Sequence, residues 1–214
     1  MSGCLLNENL RFPGIAVKEG AVYELLEPLI KNGVGIEQLP CLERMEWGGV
    51  SRKKFFKFLP ITFNTIGTRK HLLIELFIKI WIHNFRKSCK KEAKKVVNHM
   101  EDFMNSGYVI LGIIAMNDSP TCGFTKTINL LKSASTFKKF GLKLEDFENP
   151  DLEKMRGIIP NLCKNGTGLF MAEILRELRK RHINVKIFEF NPWNNLIKES
   201  ERIINALNLK FTLI

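Results

Sequence analysis

Residues 108–116 read YVILGIIAM, and residues 117–123 follow directly with NDSPTCG. A nearly continuous apolar run of this length, closed by turn residues, predicts a strand buried on both faces, as in a parallel sheet. Working upstream, Val22, Leu25, Leu26, Leu29 and Ile30 recur at helical spacing within residues 18–31, and Gly33 follows as a left-handed stop. Pro28 is expected to disturb that helix. Residues 34–39 predict a short strand ending at Pro40 and Cys41. Residues 55–67 mix aromatics, Pro60 and Asn64 and predict an irregular excursion; residues 68–105 predict a long helix, or two. Downstream, NGTG at residues 165–168 turns into a helix over 169–182, with Leu169, Ile174, Leu175 and Leu178 on one face, and residues 184–190 predict a last strand.

Alternating strands and helices predict one α/β domain over residues 1–214, an open, mostly parallel sheet with helices on both faces, Rossmann- or flavodoxin-like, in strand order 2-1-3-4. It carries an irregular, helical insert around 51–105 and a loop insert around 127–164. Ligands of such sheets bind outside the carboxyl ends of the strands, and the cysteines lie there.

The composition, 45% hydrophobic and 26% charged over 214 residues, is that of a globular chain able to bury a core. Against 22 Asp and Glu stand 33 Lys and Arg, a net charge of +11, which suits a polyanion or an anionic membrane surface as well as plain solubility. The two basic clusters, residues 52–57 and 86–95, are read as solvated faces. No basic stretch interleaved with stacking aromatics marks RNA binding, so nucleic acid is a secondary alternative. No signal segment is read, and the apolar stretch 72–82 is broken by Glu75 and Lys79 and too short to span a bilayer. A cytoplasmic protein without membrane association is expected. In a reducing compartment, five cysteines point to metal or reactive-thiol chemistry rather than disulfides.

Cys41 ends one expected strand and Cys122 follows another, while Cys4 precedes the first helix where a first strand should end. Their separations fit no zinc-finger pairing. Three thiolates converging from three loops suit a four-iron four-sulfur (4Fe-4S) cluster with one iron unligated by protein. Each cysteine alone could equally be a small core residue, which is the reading for Cys89 and Cys163. His71, His83, His99 and His182 lie on helix-like segments without ligand spacing. Gly166 and Gly168 permit a tight turn whose helix amides could receive an anionic group, but the third glycine and acidic residue of a dinucleotide fingerprint are missing.

Four blocks carry a resemblance: CLLNEN at 4–9, GIEQLPCLE at 35–43, Gly112 through SPTCG at 119–123, and NGTG at 165–168. In this order they resemble the 2-thiouracil desulfurase superfamily, formerly a domain of unknown function, and within it the desulfidase branch. The resemblance implies that Cys4, Cys41 and Cys122 hold the cluster, that its open iron binds the sulfur of a small thiolated substrate, and that Glu43 and Ser119 are catalytic. It spans most of the chain outside residues 49–105 and 127–164. Members begin with a full hydrophobic strand, whereas Met1, Ser2 and Gly3 precede Cys4 here, so a loosely held Cys4 loop is expected. The match also loosens at residues 47–51, WGGVS. The competing expectations are a non-catalytic binding module, RNA-associated through its basic surface, and a degenerate relative.

Overall fold

In the computed structural model, which describes residues 1–131, 133–148 and 150–211, the expected central strand is β1 (Ile113–Met116), buried along its whole length. It pairs in parallel with β4 (Ile187–Phe190), from Ile113 opposite Ile187 to Met116 opposite Phe190. The strand is shorter than its apolar run. Tyr108 and Val109 are exposed, and the ladder starts only after Gly112, where a Cβ would stand 2.5 Å from the Phe188 ring.

On the other side of β1, the Ser2 amide donates to Ile114 O at 2.8 Å and the Leu39 amide to Met1 O at 2.7 Å, and Ser2 bridges Leu39 in parallel. Residues 34–39 therefore supply one bridging position and not the strand expected. Their neighbour in the ladder extends only over Met1 and Ser2, and an extended segment without a pairing partner gains too little to hold strand geometry.

Helices pack around this sheet in pairs. Helix α2 (Tyr23–Lys31) tolerates Pro28 and stops at Gly33, whose φ is +72°; it packs against α10 (Leu196–Ala206), a helix the sequence reading did not anticipate. Helix α5 (Lys70–Asn105) is one continuous helix of 36 residues. Its C-terminal half lays Phe85, Cys89, Ala93 and Val97, a regular i, i+4 stripe, into the core, and α5 packs against α9 (Leu169–Lys180). Cys89 is thus a core residue, its thiol pushed up to about 12 by burial.

Both inserts depart from expectation. The supposed excursion at 55–67 is helical as far as residue 65, within α4 (Lys53–Thr65). Pro60 sits on the exposed side, where losing one backbone donor costs least, while Leu59, Thr62 and Phe63 are buried. The supposed loop at 127–164 is helical, with α6 (Ser133–Lys139), α7 (Glu145–Glu148) and α8 (Leu152–Leu162), closed at its base by the antiparallel pair β2 (Lys126–Ile128) and β3 (Cys163–Asn165). Leu59 and Phe63 of α4 join Phe137, Leu142, Phe147, Met155, Ile159 and Leu162 in a second hydrophobic cluster. The described residues thus form a mixed α/β fold. Among the described residues no helix is long and apolar enough to cross a membrane.

Candidate functional site

Three loops deliver three thiols to one cavity that opens to solvent. Cys4 lies in the single turn α1 (Gly3–Leu6), entered directly from the Ser2 bridge. Gly3 before it packs closely: a Cβ there would stand 3.1 Å from Leu39 O and would displace the end of the Gln38 side chain, 2.7 Å away. The motif continues through a 3-10 turn, Glu8–Leu10, capped by the Asn7 side chain. Glu8 is fully buried; its carboxylate takes Arg11 at 3.2 Å and the Val17 amide at 2.9 Å.

Cys41 is the extended residue that starts α3 (Leu42–Glu46), its carbonyl accepting from the Met45 amide at 3.1 Å. Glu43, in the first turn of α3, points its carboxylate at the third loop. Its Oε1 accepts from Thr121 Oγ1 at 2.8 Å and Ser119 Oγ at 3.2 Å. Ser119 in turn accepts the amides of Thr121 (3.2 Å) and Cys122 (2.9 Å), the local hydroxyl-to-backbone pattern that shapes a turn. Ser119 therefore both folds the loop that carries Cys122 and links it to Glu43.

A residue that sequence reasoning placed in a solvated basic cluster completes the site. Arg52 is fully buried and adopts φ +52°, a left-handed conformation uncommon outside glycine. Its guanidinium donates to Leu10 O at 2.6 Å and Gly49 O at 2.8 Å, contacts Cys41 Sγ at 3.8 Å and pairs with Glu43 Oε2 at 3.6 Å. One side chain thus joins the Cys4, Cys41 and Glu43 loops. Glu189 on β4 was also missed; it accepts the amides of Phe124 (2.8 Å) and Thr125 (3.0 Å) and the Thr125 hydroxyl, fixing the chain just beyond Cys122.

The glycines expected to receive an anion serve packing instead. Amides at the start of α9, those of Leu169, Phe170 and Met171, donate to the carbonyls of Pro120 and Thr121 at 3.0 to 3.1 Å. A Cβ on Gly168 would stand 2.5 Å from Thr121 O, and the Gly166 amide donates to Thr125 O at 2.9 Å. Gly166 and Gly168 thus seat the Cys122 loop on the helix, and these amides already have protein acceptors.

Burial raises all three thiols. Cys4 is held well above the ordinary range by burial and then by neighbouring Cys122. Cys122 is pushed up to about 12 by burial and then by the Glu43 carboxylate. Cys41 is raised by burial and Glu43, against the opposing pull of the Arg44 amide and Arg52. Neutral thiols in an enclosed space become ligands only when a cation takes the place of their protons. Among the described residues no three His, Cys, Asp or Glu side chains are grouped to hold a single metal ion. Three thiols lining a shared cavity are the kind of donor set that a thiophilic metal centre would take.

Away from the cysteines the cavity is apolar, walled by Phe12, Phe55, Phe137 and Met155 among others. Trp47, in the loosely matching segment, stacks on Phe55 at 5.4 Å and forms part of the same wall. Its Nε1 and Asn117 Oδ1 are buried and find no hydrogen-bond partner among the described residues.

Fold and cavity together define an α/β protein with one buried thiol, Cys122, and two half-buried ones, Cys4 and Cys41, on a cavity shared with a carboxylate and a hydroxyl. The chain is 26% identical over 152 residues to the uncharacterized protein MJ0003 of Methanocaldococcus jannaschii, an alignment that takes in 70% of this chain and 83% of that one. No protein-family model matches the chain, and no solved structure matches it significantly.

Proposed function

We propose that this protein is a cytoplasmic desulfidase that removes sulfur from a small thiolated compound, working with a 4Fe-4S cluster held by Cys4, Cys41 and Cys122. The observation that carries the reading is the meeting of three thiols from three loops on one cavity, beside a carboxylate hydrogen-bonded to a serine. When bound, such a cluster supplies a thiophilic iron with an open coordination position. Leu39, Ser2, β1 and β4 are read as the positions 2-1-3-4 of a flavodoxin-like sheet, which would put all three loops at the carboxyl ends of its strands.

The chain's own groups divide the remaining work. Glu43, oriented by Arg52, Ser119 and Thr121, is read as the group that takes a proton from the water attacking the carbon and returns it to the departing sulfur, so that the C–S bond is replaced by C–O and hydrogen sulfide leaves. The Ser119 hydroxyl accepts two amides and sits 3.2 Å from Glu43, so its proton is directed toward the carboxylate. The apolar wall binds the substrate's body and excludes water. The unpaired Trp47 donor and Asn117 acceptor suit a polar edge carrying both hydrogen-bonding senses.

Iron and acid-labile sulfide measured on anaerobically purified protein test the reading. It expects both in equal amounts, about four per chain, visible absorption that is lost in Cys4→Ser, Cys41→Ser and Cys122→Ser, and sulfide release from a thiolated heterocycle that is lost in Glu43→Gln with iron content retained. Full iron content in all three cysteine variants would overturn it.

A further inference from the structure

The net charge of +11 is confined to one part of the molecule. Residues 51–95 hold thirteen of the 33 Lys and Arg and two of the 22 Asp and Glu, which leaves twenty of each sign elsewhere. This segment forms α4 and most of α5, and it also carries exposed apolar residues. Leu72, Leu73, Leu76, Phe77 and Ile80 are all more than half exposed, Leu72 at 70% and Phe77 at 68%. Their spacing places them on one face of α5, opposite the stripe that enters the core. Phe58 and Ile61 on α4, which packs against α5, are exposed as well.

Basic residues border and extend this apolar face. Lys87, Lys90, Lys91 and Lys94 continue it at helical spacing and are exposed, as are Lys53, Lys54, Lys57, Arg69, Lys70 and Lys79 around it. A contiguous apolar patch on a folded surface marks a contact site, and charge decides among partners. A second copy joined through the same surface would oppose one +11 segment to another. A nucleic acid would pair with the lysines but leave the leucines, isoleucines and phenylalanines in water. An anionic bilayer answers both features, taking apolar side chains about 5 to 10 Å into the headgroup and acyl boundary while its lipid phosphates meet the lysines.

We infer that the α4–α5 hairpin docks this protein on an anionic lipid surface, lying in the interface with Leu72, Leu73, Leu76, Phe77 and Ile80 inserted and the lysine half of α5 against the headgroups. The apolar stretch from Leu72 to Ile80 covers about 12 Å of helix, enough to dip into one leaflet, in keeping with the absence of a spanning helix among the described residues. Docking is independent of the chemistry at the cysteines.

Flotation of the full chain with vesicles of phosphatidylcholine alone, or of phosphatidylcholine mixed with phosphatidylglycerol, tests the inference. Binding is expected to the anionic vesicles, weakening as salt rises. Lys90→Gln with Lys94→Gln should reduce the partition constant about thirtyfold, fivefold for each charge, and Leu73→Ser with Phe77→Ser by at least about tenfold. All four side chains are exposed, so circular dichroism should be unchanged in both variants. Failure to float with anionic vesicles, or floating that neither variant weakens, overturns the inference. So does a dimer in sedimentation equilibrium that Leu73→Ser with Phe77→Ser abolishes, or tighter binding to RNA than to anionic vesicles.

Discussion

Replacing Arg52 with alanine is the sharpest probe of how the cysteine site is built. The guanidinium is fully buried, donates to Leu10 O and Gly49 O and pairs with Glu43. Removing it strands two part-buried carbonyls and a largely buried carboxylate. Breaking a buried pair from one side costs about 3 to 5 kcal/mol, and at this chain length each kcal/mol moves the melting temperature by roughly 2 to 4 °C. A fall of roughly 6 to 20 °C is expected for Arg52→Ala, read by calorimetry. Arg52→Lys should fall between, since an ammonium keeps the charge but not the fork that reaches several acceptors. Arg52→Gly separates side chain from backbone: it relieves φ +52° and should be about 1 kcal/mol less damaging than alanine. Alkylation supplies a local readout, because Arg52 contacts the Cys41 sulfur and its loss should speed labelling of Cys41 in the folded protein. Arg52→Ala within about 1 kcal/mol of the parent in stability, with Cys41 labelling unchanged, would refute the reasoning.

Gly168→Ala places a methyl 2.5 Å from Thr121 O and 3.0 Å from the Cys122 amide; it should cost about 1 to 3 kcal/mol in urea denaturation and lower iron retention, whereas Gly157→Ala, with open space around it, should retain iron normally. Glu189→Ala removes the acceptor of two amides and a hydroxyl beyond Cys122 and should raise hydrogen exchange at Phe124 and Thr125. Glu199 accepts from the Asn191 amide at 2.8 Å and Arg202 at 2.6 Å; burial pushes its pKa up, but Arg202, the Asn191 amide and Asn194 outweigh it and hold the carboxyl below the ordinary 4.5. Its stabilisation is therefore present above the unfolded-state value and is lost as pH falls through the lower folded-state one, so Glu199→Gln should be less stable than the parent at pH 7 by about 1 to 2 kcal/mol, the gap closing as pH falls below the ordinary 4.5.

What the sequence disclosed and what it concealed follow the range of the interactions involved. Residues 113–116, the α9 face and the Gly33 stop were legible because local periodicity and a positive φ write themselves into neighbouring residues. The contexts of Cys41 and Cys122 were legible for the same reason, since Pro40 and Ser119-Pro120 mark where the chain turns. Arg52 was not. Its neighbours Lys53 and Lys54 are solvated, and only the fold brings Leu10, Cys41 and Glu43 to one of three adjacent cations. Helix α4 was hidden by Pro60, whose local meaning is overruled by the burial of Leu59, Thr62 and Phe63. The pair β2–β3 has three residues a strand, too few for any alternation to register. The core under α6 to α8 draws on Leu59 and Phe63 from seventy or more residues away, a contact no window of sequence contains.

The Cys4 loop is held by bonds between far-apart segments. Ladder hydrogen bonds are made residue by residue, and two of them bind Met1 and Ser2 between Leu39 and Ile114. Beyond the cysteine, Glu8 is locked by Arg11 and the Val17 amide, and Leu10 O receives the Arg52 guanidinium. Arg52 reaches Glu43, Glu43 reaches Ser119 and Thr121, and their loop rests on α9. The cysteine loops are therefore tied mainly to one another. In such a circuit the cost of loosening one loop is shared by the others, so substitutions at Arg52 and Glu43 should be coupled in a double-mutant cycle, whereas substitutions at Arg52 and the distant Glu199 should add.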